Sequence, residues 1–364
     1  MWYLQKAYQF LCLVFFFLNF LANLSSSSSS SSSITQLCSH DETSALIQFK
    51  TSFSIDKTYS LPCDDHGIKS YPKTDSWKEG TDCCSWDGVT CDNIKGQVIG
   101  LDLSCSWLYG SVPSNSSLFH LPHLQKLNLA FNHFNFSKMS SKFGEFASLV
   151  YLNLSGSVFS GQVPSQVSHL SKLVSLDLSR KYYYVNHDQT LDKHTLEGLV
   201  HNLTEVRQLF LDLTDMSSIN PNVLMNLSSS LRSLSLSHCS LQGKCPENIF
   251  HLSNLKMLNL GQNINLSLSL PQFNRSSHLE ILDISYMTFS RELFDSIGNL
   301  VSLERLDVLH AFFSGGGLPN SIGNLISLKH LNLKWAQISG SISRALGNLL
   351  KLNYLDLAGN NLNS

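Results

Sequence analysis

Cysteine is the residue type in this chain best placed to do covalent chemistry. Cys38, Cys63, Cys83, Cys84, Cys91 and Cys105 cluster early, and Cys239 and Cys245 follow much later. A ninth, Cys12, lies in an apolar leader and drops out of the count. In an exported chain an even number of cysteines reads as a disulfide framework. Adjacent Cys83 and Cys84 cannot easily bond each other, so they should reach in different directions. Spacing leaves the connectivity open; the preferred pairs are Cys38 with Cys83, Cys84 with Cys91, and Cys63 with Cys105. The first closes a loop whose entropy is worth about 4 kcal/mol. Cys239 and Cys245 offer a further local bridge, the alternative being a buried Cys239 thiol. A metal site from Cys63, Asp64, Asp65 and His66 is the competing chemistry, and export together with the even count speaks against it.

Other chemistry is missing from the pattern. There is no Gly-rich phosphate loop, no zinc-ligand spacing and no Gly-x-Ser-x-Gly elbow. The 14 histidines are scattered, and His310 and His330 read as solvated surface residues. The expectation is a protein that binds without catalysing, with no catalytic residue, cofactor or metal. A formal net charge of -2 and 14% charged residues, with Lys and Arg dispersed, do not suit nucleic acid or an anionic membrane surface.

What must position these residues is a repeat. The phrase L-x-x-L-x-L recurs from Leu231, Leu255, Leu279, Leu303, Leu328 and Leu352, in steps of 24, 24, 24, 25 and 24 residues. Earlier turns begin near Val98, Leu124, Leu149, Leu173 and Val206, about eleven in all. This period and leucine spacing mark a leucine-rich-repeat solenoid of the α/β class, in which each turn buries its apolar side against the next. Leucines point inward, their neighbours alternate outward along a short strand, and successive strands lay a parallel sheet on a concave wall. Three residues past the last strand leucine stand Asn132, Asn263 and Asn360, whose amides can bond adjacent turns. Elsewhere the slot holds Ser106, Ser157, Thr214, Cys239, Met287, Ala311 and Ala336. Several turns continue as L-x-G-x-x-P, as in Leu108 to Pro113 and Leu241 to Pro246. The step from Leu173 to Val206 is 33 residues, with an insertion at 181–198 that carries Tyr182, Tyr183 and Tyr184. It reads as a surface bulge or as a loop leaning over the wall.

Residues 1–33 read as a secretory signal followed by a serine tract, since the apolar run Phe10 to Ala22 is short for a membrane span. Residues 34–95 form a disulfide-tied cap whose helix, Asp41 to Phe53, covers the open end of the first repeat with Ala45, Leu46, Phe49 and Phe53. Residues 96–364 are the array, its last turn incomplete.

The phrase GTDCCSWDGVTCD (Gly80 to Asp92), followed by VIGLDLSCSWLYG (Val98 to Gly110), resembles the cap and first repeat of plant leucine-rich-repeat receptor-like proteins. It looks most like the Cf type, known as disease-resistance receptors, and the resemblance runs from about Cys38 to the end. It implies the Cys38–Cys83 and Cys84–Cys91 pairings. It also implies a cell-surface ectodomain binding a protein or peptide ligand in defence or development signalling. Such a receptor has no kinase of its own, so signalling runs through co-receptor and adaptor receptor kinases. A transmembrane helix is expected beyond Ser364, placing the full protein at the plasma membrane with this part outside; as written, the chain would be secreted. A secreted inhibitor of a microbial polysaccharide-degrading enzyme, or the ectodomain of a receptor kinase, would share cap and repeats.

Seven Asn-x-Ser/Thr sites suggest a glycoprotein: Asn115, Asn135, Asn153, Asn202, Asn226, Asn265 and Asn274. None follows Asn274, so the later wall should be bare. Its outward positions Arg305, Leu309, His310, Phe312, His330, Lys334, Trp335 and Tyr354 are the expected contact residues. Leu309, Phe312 and Trp335 read as an apolar patch with a polar rim.

Overall fold

The computed structural model describes residues 38–60, 63–64, 67–181, 188–268, 277–289, 295–313 and 316–363. The leader, Tyr182, Tyr183, Tyr184 and Asn274 lie outside them, as do Asp65 and His66.

Each L-x-x-L-x-L phrase contributes a short strand, three residues long in every turn after the first, to one 12-stranded sheet. The cap supplies its first strand, Val89–Cys91, antiparallel to Val98–Asp102. From there to Tyr354–Asp356 all neighbours run parallel and in step, so Leu101 faces Leu127 and Leu331 faces Leu355. Side chains alternate along a strand. The middle leucines therefore share one side of the sheet, and from Leu101 to Leu331 none is more than 2% exposed. The return path of each turn is a short 3-10 segment, such as Ser141–Glu145, Ser165–His169 or Asn320–Asn324. These segments lie close together: a Cβ on Gly144 would stand 2.0 Å from the Gln166 carbonyl oxygen, and one on Gly298 2.6 Å from that of Ser321.

The cap helix is His40–Thr51, two residues shorter at its end than the apolar stripe suggests. Ser39 caps it by accepting the Glu42 N–H at 3.2 Å, and its hydroxyl donates back to Glu42 Oε2 at 3.0 Å. The other Glu42 oxygen accepts the Val98 N–H at 3.1 Å, tying the helix to the first repeat strand. Ala45, Leu46 and Phe49 are buried. Phe53 instead starts a strand, Phe53–Ile55, antiparallel to Leu108–Gly110. Disulfides join Cys38 to Cys83, Cys84 to Cys91 and Cys63 to Cys105.

Cys239 and Cys245 are free buried thiols, which corrects the expected bridge. Cys239 fills the Asn slot and donates to the Leu211 carbonyl at 3.2 Å, so its sulfur is directed at the preceding turn. Burial pushes both thiols up, Cys245 to about 12, so neither is ionised near neutral pH.

The amide slot joins the backbones of two adjacent turns. Asn263 Nδ2 donates to the Leu236 and Leu260 carbonyls at 2.8 and 2.7 Å, and Oδ1 accepts from the Cys239 and Leu241 N–H groups at 3.1 and 3.0 Å. Asn132 makes the same set with Leu103, Leu129, Ser106 and Leu108. Such bonds are worth about 1 kcal/mol each when made and more when a buried partner is orphaned. Met287, Ala311 and Ala336 fill the slot by packing alone.

In the long step, the segment from Asp188 onward is the repeat's own structure rather than a bulge. Gln189–Thr190 pairs with Gly161–Gln162, and Lys193–Asn202 is an α-helix where other turns have a 3-10 segment. Gln189 is buried, and its Nε2 donates to Leu178 O and Thr214 Oγ1, both at 3.1 Å. It does the work of an amide slot that this turn lacks.

A second, 4-stranded parallel sheet runs beside the first: Gln242–Lys244, Asn265–Ser267, Thr288–Phe289 and Phe312–Phe313. Phe312 thus belongs to this sheet and not to the concave one, contrary to its expected place beside Trp335. Where the chain leaves the first sheet, turns place a residue in the left-handed region, such as Gln262, Tyr286 and His310, and in some turns two, as at His238 and Ser240.

Candidate functional site

The register stacks outward residues of the long sheet into columns. The first column runs Met257, Ile281, Arg305, His330, Tyr354, and the second Asn259, Asp283, Asp307, Asn332, Asp356. The second column ends the strands. Each of its side chains accepts the backbone N–H two residues on, as Asp283 does from Ser285 at 3.0 Å, Asp307 from Leu309 at 3.2 Å and Asn332 from Lys334 at 3.2 Å. Short acceptors with this reach are Asp and Asn, which is why the column holds little else.

Carboxylates on adjacent strands then crowd each other. Arg305 bonds Asp307 Oδ2 at 3.2 Å, and Asn332 Nδ2 bonds its Oδ1 at 3.1 Å. Asp283 has no such cation bonded to it among the described residues. Burial first, and then the neighbouring Asp307, raise its pKa to about 6. Its folded value exceeds the usual unfolded value of about 3.9. The folded chain therefore holds this proton more tightly, and stability is lost as pH rises from about 4 through about 6. Asp283→Asn keeps the acceptor, as Asn259 and Asn332 already do in the same column. It should raise stability at pH 7 by roughly 1 to 3 kcal/mol and not at pH 3. Urea midpoints at the two pH values check this; equal shifts at both would remove the carboxylate as the cause.

His330 is 5% exposed, not solvated as expected, because the Tyr354 ring of the next turn covers it at 4.0 Å and 5°. Its Nε2 has no partner among the described residues. Burial, with Arg305 alongside, lowers its pKa to about 4, so the ring is neutral. A buried, unpaired ring nitrogen costs about 1–3 kcal/mol.

The left-handed residues form a rim. Tyr286, His310 and Trp335 have φ of 57°, 51° and 56°, and each donates its N–H to the next turn's carbonyl, at Leu309, Lys334 and Ala358. Their rings stack: Tyr286 on His310 at 4.9 Å, His310 on Trp335 at 5.8 Å. Trp335 lies over Gly359, where a Cβ would come within 2.3 Å of the indole, and remains 50% exposed.

The structure therefore brings Arg305, His330 and Tyr354 together on the wall and His310 with Trp335 on the rim, with Leu309 and Lys334 half-buried between them. Phe312 lies in a strand of the second sheet. Tyr286, Asp283 and Ile281 were not singled out from the sequence. Reading one position down successive turns, instead of along one turn, is the signal that finds them.

Of the candidate glycosylation sites, Asn115, Asn202, Asn226 and Asn265 are exposed. Asn135 is exposed too, with Oδ1 accepting from the Tyr109 hydroxyl at 3.1 Å. Asn153 is half-buried in the second column, its Oδ1 accepting from the Ser155 N–H at 2.9 Å and its Nδ2 donating to the Tyr151 hydroxyl at 3.1 Å. The sulfurs of Cys38, Cys83, Cys84 and Cys91 lie within 4.8 Å of one another, held as two disulfides. Among the described residues no helix is long and apolar enough to cross a membrane.

Residues 39–92 match the leucine rich repeat N-terminal domain, and residues 230–252 match the Leucine Rich Repeat model. Over 292 residues the chain is 41% identical to Receptor-like protein 6 of Arabidopsis thaliana, which is 79% of this chain and 29% of that protein. It is 40% identical over 277 residues to Receptor-like protein Cf-9 of Solanum pimpinellifolium, 74% of this chain and 31% of that one. The chain thus spans about a third of the length of the curated relatives it matches. In fold it is similar to the crystal structure of PEPR1–AtPEP1, with a TM-score of 0.62 and 25% identity, covering 89% of this chain and 42% of that one. On its cap, its repeats and these relatives, the chain belongs to the leucine-rich-repeat receptor-like proteins.

Proposed function

We propose that this chain is the ligand-sensing part of a receptor-like protein that binds a protein or peptide on the wall between Arg305 and Tyr354, in plant defence or development signalling. The observation that carries the reading is His330, whose buried ring nitrogen has no partner among the described residues, opposite Arg305 on the neighbouring strand and beside exposed Tyr354 and Trp335. Aromatic and Arg side chains grouped this way are the usual anchors of a polypeptide interface. Kinase activity comes from partners, a co-receptor kinase and an adaptor kinase, and the full protein sits in the plasma membrane with this part outside.

The test is a displayed library of random decapeptides panned on the full chain. Trp335→Ala and Tyr354→Ala should each weaken the selected binders by about 2 kcal/mol, roughly thirtyfold in Kd, with a melting temperature within a few degrees of the parent. Binders that ignore both substitutions would remove the wall from the account.

A further inference from the structure

The second sheet has an open edge. Gly161, Gly243 and Gly340 have φ of 73°, 93° and 86°, a shape that residues with a Cβ avoid. Each of these glycines lies in a lateral strand: Gly161–Gln162, Gln242–Lys244 and Ser339–Ser341. The turn from Thr214 to Pro221 has the same length as that from Cys239 to Pro246, but Ser218 stands where Gly243 does. There the strand is not made, and the chain closes a turn with the Ile219 N–H on Met216 O at 2.9 Å.

The two turns run together as far as the Met216 N–H on Cys239 O at 2.8 Å, and then they part. Beyond that point Gln242 Nε2 reaches across to Ser217 O at 2.6 Å. In a parallel ladder, alternate residues bond to opposite sides. Cys245 N–H bonds Ser267 O at 2.9 Å, and Gly243 O accepts the Ser267 hydroxyl, so Gly243 and Cys245 face the Asn265–Ser267 strand. The backbone N–H and C=O of Gln242 and Lys244 face the other way. They border a cleft of about 360 Å³ lined by Ser217, Ser218, Asn220, Asn222 and Lys244. All three strand residues are exposed.

We propose that this edge takes up a short extended polypeptide as an added strand, its main chain bonding Gln242 and Lys244 across the space that Ser218 leaves empty. An edge of three residues is about 10 Å long, and the matching alternation of donors and acceptors is that of another backbone. The hydroxyl and amide side chains of the cleft suit polar residues on the incoming segment. This site stands apart from the concave wall and does not rest on it.

The probe is again a displayed library of random decapeptides, panned on the full chain, with the selected peptides remade carrying N-methyl groups on alternate backbone amides. One of the two methylated series should lose about tenfold or more in Kd, and the other should not. Bound peptide should slow hydrogen exchange at the Gln242 and Lys244 amides. Ser218→Gly, which frees the turn to take the left-handed φ that Gly243 has in its strand and so to close over the edge, should lower binding about tenfold. Gly243→Ala, which strains the edge strand, should act in the same direction. Peptides indifferent to both substitutions and to both methylation patterns overturn the proposal, as does a selection with no binder protecting 242–244. Binders lost in Trp335→Ala but retained in Ser218→Gly support the concave wall and overturn the edge; the reverse supports the edge alone.

Discussion

Gly144→Val will lower the unfolding free energy by about 3 kcal/mol or more, and the same change at Gly298, in the same slot of a later turn, will act in the same direction. The Cβ on Gly144 would stand 2.0 Å from the Gln166 carbonyl oxygen, 2.4 Å from its carbon and 2.7 Å from its Cβ. Two of those atoms are backbone, and no rotamer moves them aside. The neighbouring 3-10 segments cannot slide apart either, because their turns are held in step on the opposite side by Leu127 to Leu152 to Leu176 pairing. At Gly298 a Cβ would stand 2.6 Å from the Ser321 carbonyl oxygen and 2.7 Å from its Cβ. Urea unfolding of the two variants checks the pair; a loss below about 1 kcal/mol in both would mean that turn spacing is not set on this side.

Removing the Cys38–Cys83 disulfide by paired Ala substitutions should cost about 4 kcal/mol of cap stability, and removing Cys84–Cys91 about 2. The difference comes from loop length, the first pair being 45 positions apart in sequence and the second 7. The cap helix lays Leu46 and Phe49, both fully buried, against the first turn, and Ser117 Oγ donates to the Ala45 carbonyl at 2.8 Å. A loosened cap therefore uncovers the apolar end of the array, which a solenoid needs sealed. Thermal melts without reductant should show an early cap transition in the first variant and a smaller shift in the second. Equal shifts would rule out loop closure as the source.

The array was legible because strand alternation acts within one turn. A leucine at the middle of L-x-L points inward whatever the next turn holds, and the period follows from the spacing alone. The cap helix was legible for the same reason, up to Phe53, whose strand depends on Leu108–Gly110 more than fifty residues later. His330 was misplaced because its burial depends on Tyr354 in the following turn. Gln189 escaped notice because it bonds across to Thr214, a slot belonging to another turn. Phe312 was assigned to the wrong sheet since the chain reverses at His310, whose φ of 51° no residue preference announces. In the Cys239 slot, sequence spacing offered a bridge, and the Leu211 carbonyl took the thiol instead.

The amide slot changes character along the chain. Asn132, Asn263 and Asn360 rivet the carbonyls and amides of two adjacent turns together, whereas Met287, Ala311 and Ala336 merely fill the same space. A coil spring whose windings are riveted at both ends and only pressed together between them will flex in its middle. That compliant stretch is the one that carries Arg305 and His330, so the part of the wall with the most binding chemistry is also the part that can change its curvature most cheaply.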